Sequence, residues 1–255
     1  MKCIKKSVFS FGLASGLVLS TSAQAIVNIE SLRMDAEQLG WSSSLNLSGQ
    51  GKKGNTDKDA VKVGFGVQFV EEHSRTFLIG SVEYGEANQQ KDDESYFAHL
   101  RHTHDLIPTW AWEAFTQYEA EPLVYDKQRS LLGAGLRKSV QAKTLKWHFG
   151  MGAFYEHETA ILNNTDLTTD LGRGNFYTTF KQQLNDHASW FGSAYYQPQL
   201  DAWNHYRAIA TLGAESKLTQ RISLSLGTSY GYESSPLASA KKEDLAYQFG
   251  IQVNF

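Results

Sequence analysis

The chain ends on "LAYQFGIQVNF", Leu245–Phe255, and this stretch decides the fold. Leu245, Tyr247, Phe249, Ile251, Val253 and Phe255 take every odd position, and Ala246, Gln248, Gly250, Gln252 and Asn254 every even one. A period of two over eleven residues makes a strand with one apolar and one polar face. That apolar face must be covered by a second protein layer or by lipid.

The same alternation recurs upstream. Val61, Val63, Phe65, Val67 and Phe69 interleave with Lys62, Gly64, Gly66 and Gln68, and Trp110, Trp112, Ala114, Thr116 and Tyr118 with Glu113, Phe115, Gln117 and Glu119. Twelve strands are expected, at 40–49, 60–70, 76–86, 95–104, 110–121, 128–138, 145–156, 173–184, 188–197, 203–215, 221–232 and 243–255. The third and fourth have the least certain parity, because apolar residues stand on both faces. Most strands run to about 9–11 residues, the length that crosses a bilayer at a tilt.

The connections sort by length. "EEHSR", "DLIPT", "SVQAKT", "NDH" and "KLTQ" follow even-numbered strands and are short. "GKKGNTDKD", "ANQQKDDE", "HETAILNNTDLTTDLG" and "ESSPLASAKK" follow odd-numbered strands and are long and polar. Long loops at one end and short turns at the other are the pattern of an up-and-down outer-membrane barrel. The aromatics follow the same order. Trp41, Trp110, Trp112, Trp147 and Trp190 stand beside the short turns, and Tyr84, Tyr118, Tyr155, Tyr196 and Tyr230 towards the long loops. Rings with one polar end favour membrane–water interfaces, so these two belts are the expected girdles. The fold expected is therefore all-β: a transmembrane antiparallel up-and-down β-barrel of about twelve strands.

Three lysines in residues 1–6, an apolar run over 7–20 and Ala23-Gln24-Ala25 read as a secretory signal peptide over 1–25. Residues 26–38, "IVNIESLRMDAEQ", are expected to form a periplasmic N-terminal extension before a barrel over 39–255. Cys3 falls within the signal, so the mature chain has no cysteine, which excludes disulfides, thiolate catalysis and cysteine metal sites. Removing three lysines takes the net charge from −3 to −6, which argues against nucleic acid as a partner.

Sites for chemistry are few. "GQGKKGNTDK" lacks phosphate-loop spacing and reads as an exposed hairpin loop. His102 and His104 share one strand face, but their parity is that of Tyr96 and Leu100, so an interfacial pair is expected and no metal site. Asp166 and Asp170 stand in an acidic loop without the calcium-loop pattern. No Gly-x-Ser-x-Gly elbow occurs, and neither an enzyme nor a cofactor is expected. A phospholipase-like activity or a receptor role for the long loops is the alternative.

The polar faces carry more information. Inward by parity stand Lys62, Arg101, Glu113, Arg129, Arg137, Lys146, Glu156, Lys181, Arg207 and Glu215, with Gly64, Gly66, Gly133, Gly135, Gly150 and Gly152 among them. Small residues beside mixed charges fit a narrow wet channel. They fit a salt-bridged plug equally well.

"GWSSSLNLSGQGKKGNTD", "WAWEAFTQYE", "LLGAGLRK" and the terminal "GIQVNF" together resemble the salt-induced outer-membrane proteins, a bacterial family of uncharacterised barrels. The likeness covers nearly the whole mature chain and rests on Gly54-Asn55-Thr56-Asp57 and the Leu131–Arg137 segment. It implies the outer membrane of a Gram-negative bacterium and assigns no activity. Phe255 looks like the last-strand signal read by the barrel-assembly machinery. The partners expected are outer-membrane lipids, that machinery and a small solute. The role expected is passive, as a small pore or a structural envelope protein linked to salt and osmotic tolerance.

Overall fold

The computed structural model describes residues 39–52, 58–87, 90–123, 125–162, 164–236 and 242–254. The expected signal peptide, the expected 26–38 extension and Phe255 lie outside the described residues. Twelve strands form one closed antiparallel barrel: β1 Gly40–Lys52, β2 Lys58–Val70, β3 Ser74–Ala87, β4 Gln90–Ile107, β5 Trp110–Glu121, β6 Lys127–Gln141, β7 Leu145–Leu162, β8 Thr165–Gln183, β9 Ala188–Pro198, β10 Tyr206–Lys217, β11 Ile222–Glu233 and β12 Glu243–Asn254. Each strand pairs with its neighbours in sequence, and β12 closes on β1 from Ser44↔Asn254 to Ser48↔Gly250. Closure satisfies backbone groups that an open sheet would leave unpaired at its edges, which hydrocarbon does not tolerate.

The alternation is kept across the barrel wall. Leu45, Leu47, Val61, Val63, Phe65, Leu132, Phe149, Met151, Leu226 and Phe249 are all exposed on the outside. Such an apolar surface on a water-soluble protein would be covered by another layer; the described residues provide none.

Several segments expected as loops are strand. Residues 157–172 continue β7 and β8 as a hairpin paired from Glu156↔Leu171 to Leu162↔Thr165, turning where Asn164 adopts φ 60°. Gln90–Glu94 likewise belong to β4 and pair with the end of β3 through a bulge at Gly85/Glu86. In these segments the outer face is no longer apolar, so the alternation fades while the hydrogen-bond ladder continues. Conversely, β10 begins at Tyr206 and not at 203. Ala202 N–H donates to the Gln199 carbonyl (3.3 Å) and His205 N–H to the Ala202 carbonyl (2.8 Å), making a turn from which Trp203 packs on Phe176 at 6.2 Å.

Candidate functional site

The interior is the candidate site, and side-chain size divides it into two regions. From β3 to β10 the inward positions hold large groups that lean across the lumen. Phe77, Ile79 and Phe97 form one buried cluster and Phe115, Leu131 and Phe154 another. His99 is sandwiched between Phe77 (6.0 Å) and Phe115 (5.8 Å), and its Nδ1 meets Gln117 Oε1 at 2.8 Å. Arg101 pairs with Glu113 at 3.3 Å and lies 5.1 Å from the Phe115 ring. Tyr177 donates to Glu113 Oε1 at 2.6 Å, and Arg137 donates to the Tyr177 hydroxyl at 3.4 Å. Glu113 stands on β5 and Tyr177 on β8, so this bond passes over β6 and β7.

The glycines of those two strands make the crossing possible. A Cβ on Gly133 would come within 2.5 Å of the Phe115 ring, and one on Gly150 would overlap the Tyr177 ring. Gly135 and Gly152 pack backbone to backbone, with room for no side chain. Here the small residues leave no channel, because neighbouring rings lie on them.

Nearer the long-loop end, Glu156 is the centre of a second crossing. It contacts Arg207 at 2.7 Å, Arg173 at 3.1 Å and Arg129 at 3.7 Å. Arg207 reaches from β10 over β9 and β8, and also binds Glu233 (2.9 Å) and Glu158 (3.3 Å). Arg129 meets Glu119 at 3.4 Å, and Lys127 meets Glu158 at 3.4 Å. Four cations thus pair with four carboxylates, and Glu121 is buried beside them. Closer to the short turns, Lys181 on β8 spans β9 to Glu215 on β10 at 3.1 Å. Lys146 is half-buried on the same inner face.

The inner face from β11 through β12 to β1 is different. Between Ser44 and Ser48 on β1, Ser223 and Gly231 on β11 and Ala246 and Asn254 on β12, its inward positions hold Ser, Asn, Gln, Gly and Ala. Of these Ser48, Ser223 and Gly250 are buried, while Glu233 at the end of β11 belongs to the ion-pair cluster. Ser44, Asn46, Ser225, Ser229, Gln252 and Asn254 are partly accessible, and Ala246 and Gln248 are exposed. Opposite them, His99, Glu113, Gln117, Glu156, Thr179 and Gln197 are almost wholly buried. Gln248 donates to Ser48 Oγ at 3.2 Å across the β1–β12 seam, and Gln252 to Asn254 Oδ1 at 2.8 Å. Lys62 and Glu83, at the edge of this strip, pair with each other at 3.2 Å. Eight strands make a barrel that side chains can just fill, and 16–18 leave an aqueous channel. Twelve strands lie between these sizes, and here large side chains stand on one side of the lumen and short ones on the other.

All ten charged positions expected inward stand on the inner face, but alternation alone did not show their partners. Arg173, Glu158 and Glu233 complete the ion-pair cluster, and Tyr177 completes the crossing at Glu113. The available signal was an aromatic or arginine out of phase with the apolar parity, as in "RGNFYTT" at 173–179.

On the outer face, rings cluster at both strand ends. Towards the short turns Trp41 packs on Phe69 (4.8 Å), Trp147 on Phe149 (5.3 Å) and Trp190 on Phe180 (5.0 Å). Lys138 lies over the Trp110 ring at 5.7 Å. Towards the long loops Tyr196, Tyr206 and Tyr232 form a row at 5.3 and 5.6 Å. Tyr84 donates to Glu86 (2.8 Å), Tyr118 to Gln128 (3.3 Å) and Tyr155 to Asp170 (2.5 Å), while Tyr230 is exposed. His102 and His104 flank Trp112 at 5.2 and 6.1 Å, and His102 Nδ1 meets Thr76 Oγ1 at 2.9 Å. Among the described residues no group of three or more His, Cys, Asp or Glu is placed to hold a metal ion.

The architecture is shared with solved outer-membrane barrels. The KdgM porin in complex with disordered oligogalacturonate is similar with TM-score 0.51 and 8% identity, over 84% of this chain and 99% of that one. The NanC porin is similar with TM-score 0.50 and 10% identity, over 83% and 98%. The translocator domain of autotransporter NalP from Neisseria meningitidis follows with TM-score 0.48 and 14% identity, over 88% and 91%. At these identities the likeness concerns the fold alone. Among curated proteins none matches the sequence. The family model described as "Protein of unknown function, DUF481" matches residues 45–255, and the chain belongs to that family.

Proposed function

We propose that this protein is a narrow passive pore of the outer membrane, and that it acts without catalysis or cofactor. The observation that carries the reading is the accessible strip of small polar residues along β11, β12 and β1, beside a lumen otherwise packed with rings and ion pairs. A barrel built only to stiffen the envelope would gain by filling that wall as well. The porin-like neighbours support a passive role for the fold. In this reading residues 1–25 direct export, and both mature termini lie in the periplasm with the short turns. Outer-membrane lipids solvate the apolar wall, and the barrel-assembly machinery recognises the last strand through Phe255.

The test is the conductance of the mature barrel in planar bilayers. Discrete single-channel steps are expected. Silent bilayers, with a barrel whose gel migration is heat-modifiable, overturn the pore and leave a structural envelope role. The link to salt and osmotic tolerance is tested separately: loss of the gene should slow growth in high salt, and unchanged growth removes that link.

A further inference from the structure

The charged inner side chains are concentrated where they close ion pairs across the filled half. The Glu156 cluster joins four cations to four carboxylates, and Arg101–Glu113 and Lys181–Glu215 lie on the same side. The accessible strip is built differently. From Ser44 to Ser48 on β1, Ser225 to Ser229 on β11 and Gln248 to Asn254 on β12, its described inner positions hold hydroxyls, amides and glycines and no ionisable group. Charges stand on the flanking strands, Lys62 beside Ser48 and Glu215 beside Ser225, and each closes an ion pair, with Glu83 and Lys181 respectively.

From this we infer that the passage runs off-centre along β11–β12–β1 and admits small uncharged polyhydroxylated solutes in preference to ions. The inference rests on the pore reading above. Hydroxyl and amide groups both donate and accept, so they can replace the water around a sugar-like solute one hydrogen bond at a time. An ion leaving part of its hydration shell meets no fixed countercharge in this strip, and a low-dielectric wall makes that loss costly. Porins that favour ions carry rings of one sign of charge at their constriction; here charges of both signs close ion pairs on the filled side.

Liposome swelling with the mature barrel compares three six-carbon solutes: sorbitol, gluconate and lysine. Sorbitol should enter at least about fivefold faster than either charged solute, with a reversal potential near zero in a salt gradient. Asn46→Asp, a near-isosteric change on the strip, should shift the reversal potential towards cations and raise the lysine rate. Equal entry of gluconate or lysine, or strong ion selectivity in the unaltered protein, overturns the neutral-solute inference while the pore stands. An unmoved reversal potential in a folded Asn46→Asp barrel overturns the off-centre path. Absence of both swelling and conductance removes the pore reading itself.

Discussion

The wall from β3 to β10 and the wall from β11 through β12 to β1 share one alternating pattern and differ in the volume standing on their inner positions. On the first, Phe, Tyr, Arg and Glu side chains span one or two intervening strands; on the second, Ser, Asn and Gln reach no further than the next strand. Period two fixes which face a residue takes, and side-chain length fixes whether that face is packed or wet.

The comparison is tested most severely at Glu156. Glu156→Gln leaves Arg129, Arg173 and Arg207 without their shared carboxylate and should cost about 3–5 kcal/mol, seen as a lower denaturant midpoint of the detergent-folded barrel. Ser225→Ala on the open wall should stay within about 0.5 kcal/mol. Similar losses at both sites would mean that the two walls are packed alike.

Next in size is a glycine pair. Gly152→Ala would drive a methyl into the Ala134 carbonyl and Gly135 Cα, at a cost of about 1–3 kcal/mol. At Gly227 the nearest atom to a new Cβ is the Leu212 carbonyl oxygen at 3.8 Å. Gly227→Ala should therefore be neutral or stabilising by up to about 1 kcal/mol through the unfolded chain. Heat-modifiable migration against temperature ranks the two.

On the outer face, Trp147→Ala removes ring contacts with Phe149 and Phe180 and a 2.6 Å donation from Nε1 to Thr178 Oγ1. A loss of about 1 kcal/mol is expected, alongside a blue-shifted residual tryptophan signal from the rings that remain in lipid. The smallest effect is expected at the seam. Gln248→Ala deletes the bond to Ser48 and should cost about 0.5–1 kcal/mol. Faster amide exchange at Leu47 and Ile251, with the β7–β8 ladder unchanged, would locate that loss at the closing pair of strands.

Most of the fold was legible because one period of two runs through nearly every strand. In "KVGFGVQF" and "FGIQVNF" the parity of each residue follows from the need to turn apolar groups outward, with no knowledge of the partner strand. The pattern weakens over 157–172, where the outer face is no longer apolar, and that segment is a paired hairpin although its sequence reads as a loop. It also weakens in β3 and β4, where Phe77, Ile79 and Phe97 point inward against it. The inner charges could be placed on the lumen face one by one, but not paired. Arg207 and Glu156 are 51 residues apart and meet over two intervening strands, a relation no local spacing encodes.

The sequence by itself determined a twelve-stranded barrel with an apolar outside and a polar inside, because these follow from a period of two repeated at strand length. The tertiary structure alone decided whether Gly64, Gly133, Gly150 and Gly227 mark open space or seats for rings. That depends on which large side chains closure of the barrel brings over each glycine. On β6 and β7 the rings of Phe115 and Tyr177 arrive; along β11, β12 and β1 no large side chain among the described residues leans across, and Asn46, Ser225 and Gln248 stay accessible.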